Sequence, residues 1–299
     1  MNNPPATVVC FGEILWDFLP RGAFPGGAPF NVAYHLHRSG LRSTLVSAVG
    51  HDLLGEELLR RLRHWGLSTD GVNQHPDLPT GYVRAALNPG GDATYEIAQH
   101  VAWDEIAPGE QTLRTTREAR ALVFGSLALR SPANRTALNL LLDTLPASAL
   151  RVFDVNLRPP FDDLPLVREI ARRATVLKLN RQEAARLADT GAGRDEDHAR
   201  AIAQQSDCRT VCISAGEHGA GLLVDETWHW APGRPVLVRD TVGAGDAFMA
   251  GFLAGLLRDE MPPAEALACA CRLGEFVAGQ DGATPEYPPG LLPGTGAKP

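Results

Sequence analysis

Asp240-Thr241-Val242-Gly243-Ala244-Gly245-Asp246-Ala247-Phe248-Met249-Ala250-Gly251-Phe252 is the stretch on which the reading of the fold turns. It follows a strand-like segment, 235–239, and leads into an apolar run that predicts a helix to about residue 257. Gly243 and Gly245 allow a tight turn without Cβ interference. The first N–H groups of the helix lack intrahelical partners and sit at the positive end of its dipole, so the turn is a natural cradle for a phosphate or an oxyanion. Asp246 brings a carboxylate into that cradle. Two readings stand side by side: a helix cap, or a proton acceptor beside a transferring phosphoryl group.

Outward from this turn, short apolar runs alternate with amphipathic ones. Strands are predicted at 7–11, 44–49, 122–124, 152–155, 176–179 and 210–213, and helices at 31–38, 53–65, 133–145, 164–173, 182–188 and 195–205. Alternation of this kind implies an α/β fold with a mostly parallel sheet covered on both faces. One stretch departs from it. Residues 81–87 and 93–98 are both β-like, and Asn88-Pro89-Gly90-Gly91-Asp92 between them is rich in turn residues, which predicts a hairpin. Residues 286–299, dense in Pro and Gly, read as a loose tail.

Composition narrows the function. The 299 residues carry 28 Lys+Arg against 35 Asp+Glu, a net charge of −7, which argues against a general nucleic-acid binder. The only lysines are Lys178 and Lys298, and neither follows a glycine loop, so the phosphate loop GxxxxGK followed by Ser or Thr is absent. Five cysteines (Cys10, Cys208, Cys212, Cys269, Cys271) in a chain of this length do not make a disulfide framework. The nine histidines are poorly grouped for a metal and read as structural or surface. No run approaches the ~18 apolar residues of a spanning helix, and the N-terminus has no leader-like pattern. The expectation is a cytoplasmic protein with no membrane partner.

At this point the sequence resembles a known family. The stretch 240–252 is similar to the C-terminal signature of the ribokinase-like, or PfkB-type, carbohydrate kinases, and Gly26-Gly27-Ala28-Pro29-Phe30-Asn31-Val32-Ala33 is similar to their N-terminal glycine motif. Further matches lie in order between them: Gly12-Glu13 with Asp17, Pro79-Thr80-Gly81, Ala102-Trp103-Asp104, Asp154-Val155-Asn156-Leu157-Arg158 and Asn180-Arg181-Gln182-Glu183. Within the family the fructokinase branch is the most similar. The resemblance implies a three-layer ribokinase-like domain over residues 1–285, with a small β lid formed by segments near 12–25 and 80–100.

It also implies ATP-dependent phosphoryl transfer to a sugar hydroxyl. Asp246 becomes the general base, and the N–H groups of Gly243, Ala244, Gly245 and Asp246 the anion hole, with Arg158 neutralising phosphate charge. Asp17, Gly26, Gly27, Asn31 and Asn156 are expected at the sugar, with Arg84 and Tyr95 on the lid facing either substrate or solvent. An inward Arg84 would suit an acidic sugar. Asn180, Glu183, Ser214, Gly216, Gly219 and Thr241 are expected at the nucleotide, Glu183 acting on Mg2+ through water. Asp240 and Val242, with the 279–283 segment, would hold K+, and a homodimer through the lid is implied. Fructose, phosphorylated at its 6-hydroxyl, is the first choice of acceptor; another sugar or an acid such as 2-keto-3-deoxygluconate is the alternative. Two distant readings remain, a non-catalytic sugar or nucleotide sensor and a nicotinamide dehydrogenase. The latter lacks the third glycine of its fingerprint, where Phe248 stands.

Overall fold

The computed structural model describes residues 6–20, 22–87, 93–288 and 290–291; for residues 85–87 and 93–95 it describes the backbone alone. The chain opens with β1 (Thr7–Phe11), then β2 (Leu15–Leu19), β3 (Gly22–Gly26) and α1 (Ala28–Arg38). After β4 (Arg42–Gly50), α2 (Leu53–His64) and β5 (Val72–His75) come β6 (Tyr82–Leu87) and β7 (Ala93–Ile97). Next are α3 (Glu110–Arg117), β8 (Ala121–Gly125), α4 (Pro132–Thr144), β9 (Leu150–Asp154), α5 (Leu164–Ala171) and β10 (Val176–Asn180). The last third holds α6 (Arg181–Ala188), α7 (Asp195–Ser206), β11 (Thr210–Ser214), β12 (Gly219–Val224), β13 (Thr227–Pro232), α8 (Ala244–Leu257) and α9 (Pro263–Ala278).

Nine strands form one sheet in the order β13-β12-β11-β10-β9-β8-β1-β4-β5, parallel from β11 to β5 and closed at the other edge by antiparallel β12 and β13. Successive residues point to opposite faces. Val8, Cys10, Val123 and Val176 pack with α1, α2, α8 and α9. Val9, Phe11, Phe124 and Leu177 pack with α4, α5, α6 and α7. Burial on both faces explains why these strands read as unbroken apolar runs rather than alternating ones. The strand order reverses between β1 and β8, which opens a crevice at their carboxyl ends where ligands of such sheets bind.

Over that crevice stands a separate sheet of four strands, β3-β2-β6-β7. β6 and β7 are the expected hairpin; its turn, 88–92, lies outside the described residues. Residue pattern alone predicts no strand at β2 or β3, although the family resemblance assigns segment 12–25 to the β lid. Gly22-Ala23-Phe24-Pro25-Gly26 has little intrinsic preference for a strand, and its pairing with β2 comes from tertiary context. α3 also escapes notice, because its inward positions are Thr112 and Thr116 rather than apolar residues.

Two expectations need correction. Residues 235–239 do not form a strand. Pro235 supplies no donor, the Arg234 and Arg239 N–H groups bond instead to Glu275 Oε1 and the Ala278 carbonyl, and Leu237 is 85% exposed. Nor is the tail loose from its first residues. Tyr287 packs on Phe276, and its hydroxyl lies 2.8 Å from His35 Nδ1. The five cysteines are buried and unpaired. Among the described residues no helix is long and apolar enough to cross a membrane.

Candidate active site

A cavity of about 810 Å3 lies between the small sheet and the carboxyl ends of the main strands. Its lining includes Asp17, Gly27, Asn31, Asn156, Arg158, Asp240, Val242 and Asp246, so residues spread over 230 positions of sequence meet in one place. All but Asp17 arrive on a strand exit or a helix entry. Asp17 sits on β2 with Leu15 and Leu19, all turned inward, and Asn31 lies in the first turn of α1. Asn156 follows β9 with φ +41, a backbone conformation that an L-residue adopts at a cost and that collects at functional sites.

Asp246 lies in the first turn of α8, whose N-cap is Gly243 at φ +79. Asn31 Nδ2 donates to Asp246 Oδ2 at 2.8 Å. Burial lifts the Asp246 carboxyl to about 6; Asp154 pushes the same way, while Lys178, the Asn31 bond and Arg158 pull back. Burial also lifts Glu13 to about 7 and Asp17 to about 6. Glu13 Oε1 accepts from the Ala28 N–H at 3.2 Å, while Glu13 Oε2 and Asn31 Oδ1 are buried without a hydrogen-bond partner. The floor of the cavity therefore presents two acceptors that call for donors. A helix N-terminus that attracts an anion stands directly beside a carboxylate with a pKa near neutrality. That pairing suits taking a proton and stabilising charge on a neighbouring anion in one step.

Several expected residues sit otherwise than anticipated. The Ala244 N–H is directed at the Thr241 carbonyl at 3.3 Å, which leaves Gly245 and Asp246 as the first-turn donors of the cradle. Arg84 is exposed, with its guanidinium over the Tyr82 ring, because strand alternation gives the inward position of β6 to Val83. It therefore does not face the cavity. The Tyr95 side chain lies outside the described residues. Gly26 does not line the cavity but lies against Asp17, whose carboxylate would meet any Cβ there.

Where the nucleotide is expected, Asn180 and Ser214 are paired across β10 and β11 at their carboxyl ends. Asn180 caps α6 through Glu183 N, and Glu183 accepts from Leu157 N and Asn180 N, each at 2.8 Å. Buried, and with a main-chain donor on each oxygen, Glu183 clasps the loop after β9 to the start of α6. Gly216 opens a short 3-10 turn and Thr241 is exposed. At Gly219 any Cβ would strike the Ala231 carbonyl, so that glycine serves the β12–β13 pairing. Asp240 accepts from Val242 N and Gly282 N, which joins the two segments expected around a monovalent cation. Among the described residues no group of three His, Cys, Asp or Glu is arranged to hold a metal.

Sequence reasoning assigned no role to Glu13, Asp154 or Lys178. The Lys178 ammonium contacts both oxygens of Asp154, at 3.0 and 2.9 Å, in the interior beneath α8. A lysine inside the apolar strand Val176-Leu177-Lys178-Leu179 was the available signal, since a charge there must have a buried partner.

Known proteins bear on this site. The profile of the pfkB family carbohydrate kinases matches residues 21–289. An uncharacterized sugar kinase of Pyrococcus horikoshii is 30% identical over 276 residues, covering 86% of this chain and 85% of its own. Its structure in complex with ATP superposes with a TM-score of 0.78 at 26% identity over 93% of this chain and 94% of that one. Fructokinase-2 of Solanum habrochaites is 28% identical over 306 residues, 94% of this chain and 93% of the relative. Aminoimidazole riboside kinase of Salmonella enterica, solved with aminoimidazole riboside and an ATP analog, gives a TM-score of 0.81 at 27% identity over 93% and 95% of the two chains. With its α/β fold of helices around a mostly parallel sheet, this chain belongs to the pfkB family of carbohydrate kinases, phosphotransferases that use an alcohol group as acceptor.

Proposed function

We propose that the enzyme transfers the γ-phosphoryl group of ATP to a hydroxyl of a free neutral sugar, with fructose, converted to fructose 6-phosphate, as the first choice. The observation that carries this reading is the bond between Asn31 and Asp246 at the junction of the cavity and the α8 N-terminus. The acceptor hydroxyl gives its proton to Asp246 as its oxygen bonds to the γ-phosphorus; the bond to the bridging oxygen breaks and ADP leaves. The first-turn N–H groups of Gly245 and Asp246 take up charge on the transferring group, and Arg158 at the cavity wall assists. ATP arrives as its Mg2+ complex. Asn180 and Ser214, at adjoining strand ends, are placed to meet the nucleotide.

Glu13, Asp17 and Asp246 turn three carboxylates toward the cavity, with Arg158 and Arg239 at its wall. Buried acceptors favour the hydroxyl donors of a neutral polyol. With Arg84 on the outer face, no lid arginine pairs with an acid such as 2-keto-3-deoxygluconate from that position. The small sheet closes over the sugar and excludes water, which would otherwise compete as acceptor. The carbonyls of Asp240 and Val242 and those of residues 279–283 would hold K+, whose charge would add to that of the cradle; replacing K+ by tetramethylammonium tests this.

The deciding experiment is kcat/KM with MgATP across fructose, other free hexoses and pentoses, aminoimidazole riboside and 2-keto-3-deoxygluconate. A fructose preference of tenfold or more supports the assignment. A preference for the acid overturns the neutral-sugar reading, and no ATP consumption with any of them favours a sensor.

A further inference from the structure

Beneath the catalytic turn lies a charge pair that the transfer just described does not use. β9 and β10 run side by side, with Lys178 opposite Asp154. Alternation turns Val152, Asp154, Val176 and Lys178 to the face covered by α8, and Phe153, Leu177 and Leu179 to the other. Lys178 and Asp154 are 6% and 3% exposed. The ammonium has three N–H donors, and Asp154 accepts on both oxygens. On its remaining side the nitrogen abuts the first turn of α8, so closely that a Cβ added to Gly245 would lie 3.1 Å from Nζ.

Stability does not account for this placement. A buried ion pair is commonly no better for folding than an apolar pair of the same volume, and a cation beneath a helix N-terminus is opposed by the helix dipole. The electrostatics of the site do account for it. Asp246 is faced by Asn31 from α1, Glu13 from the β1–β2 connection, Asp154 from β9, Arg158 from the loop after β9 and Lys178 from β10. Lys178 is faced in turn by Asp154, Asp246, Glu183 of α6 and Cys212 of β11. Of the two cations in that set, Arg158 is exposed to solvent and Lys178 is buried, so the lysine acts with little screening.

We propose that Lys178, clamped by Asp154, is a positioning residue for the phosphoryl transfer: its ammonium lies under the glycine turn, fixes that turn and keeps the Asp246 carboxylate in its proton-accepting form. Burial pulls the lysine's pKa down, yet Asp154 and Asp246 together hold it above the ordinary value. Lys178 stays protonated through the cycle; the hydroxyl proton goes to Asp246 alone. Without the lysine, two buried carboxylates would face one another, and one of them would retain a proton. The inference rests on Asp246 acting as the base.

The test is kcat/KM against pH for the wild type, Lys178→Met, Asp154→Asn and the double variant Asp154→Asn/Lys178→Met, together with ATP affinity measured by direct titration. In Lys178→Met the acid limb moves up by about one pH unit or more, roughly a tenfold loss at a fixed pH on that limb, with ATP affinity within about threefold of the wild type. In Asp154→Asn the limb moves down. The double variant, which leaves no unpaired buried charge, returns it close to the wild-type position. Should Lys178→Met fail to fold, the other two variants decide. Acid limbs that stay in place, or activity lost equally at every pH, overturn the proposal and leave the pair a structural one. Full turnover in Asp246→Asn would instead remove the base on which the inference rests, a failure distinct from that of Lys178.

Discussion

Asn31 Nδ2 and Asp246 Oδ2 meet at 2.8 Å although 215 positions separate them in the chain. The bond joins the first turn of α1 to the first turn of α8, the elements that follow the two glycine motifs. It fixes one carboxylate oxygen and leaves the other to an incoming hydroxyl. The asymmetry matters, because a base held by one oxygen presents the second in a set direction.

Asp246→Asn keeps the shape and the Asn31 contact but removes proton affinity. Turnover with the best sugar should fall by ~10²–10⁴-fold, while ATP affinity stays within a few-fold. Stopped assays of product and equilibrium titration of nucleotide measure the two separately. Retention of more than about a tenth of wild-type kcat would remove Asp246 from the base role.

The pH profile should carry the same carboxylate. Burial and Asp154 set Asp246 at about 6 in the free enzyme. Only the ionised form accepts a proton, so kcat/KM rises tenfold per unit below that value and levels above it. Asp17, also at about 6, and Glu13, at about 7, titrate in the same window and can steepen the limb beyond one proton. A profile flat from pH 5 to 8 contradicts the assignment.

Much of this arrangement was legible in the residues. The strands at 7–11 and 210–213 and the helices at 53–65 and 195–205 emerge within one residue of their predicted bounds, because the strands are short unbroken apolar runs and the helices carry apolar residues at the helical period. The glycine turn at 243–245 and Asn31 were found through local chemistry that spacing preserves. The pairing of β2 with β3 was not, since Gly22–Gly26 has no strand character until Leu15–Leu19 lies beside it. The facing of Arg84 was equally hidden. A hairpin fixes alternation but not which side meets the crevice, and that is set by Val83 and Ile97 packing inward. Lys178 and Glu13 drew no role because their partners, Asp154 and the Ala28 N–H, lie elsewhere in the chain.

Glu13 offers a prediction on stability. Burial raises its pKa from 4.5 to about 7, so the folded chain holds that proton more tightly than the unfolded one. Its contribution therefore weakens folding as pH rises from about 4.5 to 7, by on the order of 3 kcal/mol at most, and the loss is complete above that window. Glu13→Gln keeps an acceptor for the Ala28 N–H and removes the charge. It should raise Tm by several degrees at pH 8 and scarcely change it at pH 4.5. Scanning calorimetry of the ligand-free protein decides. A variant less stable at pH 8 would mean that the carboxylate is stabilised there by something other than the groups named.

Arg84→Ala and Arg158→Ala separate the outer face of the small sheet from the cavity beneath it. Arg84 lies over Tyr82 on the outer side, whereas Arg158 lines the cavity. Arg84→Ala should leave kcat and both KM values within about twofold, as expected of a surface substitution. Arg158→Ala should lower kcat by ~10-fold or more, as loss of a group that stabilises charge in transfer. Equal effects from the two substitutions would mean that the outer face reaches substrate by some other arrangement of the sheet.

Gly243→Ala tests whether the cradle must keep its shape. Gly243 has φ +79, and a Cβ there would lie 2.6 Å from Ala283 Cβ and 2.7 Å from Ala283 Cα. Ala283 cannot yield easily, since its carbonyl bonds to His35 Nε2 at 2.9 Å and His35 is buried on α1. Burial holds that imidazole neutral, at about 3, so the contact persists across the working pH range. The strain must instead move the turn that carries Gly245 and Asp246. The left-handed backbone alone costs about 1–3 kcal/mol. A cradle displaced by a few tenths of an ångström should lose ~10²-fold in kcat with little change in sugar KM, because its N–H groups act on charge that appears only during transfer. Full kcat in a folded Gly243→Ala variant would show that the turn tolerates a side chain and that the transferring phosphoryl group is stabilised elsewhere.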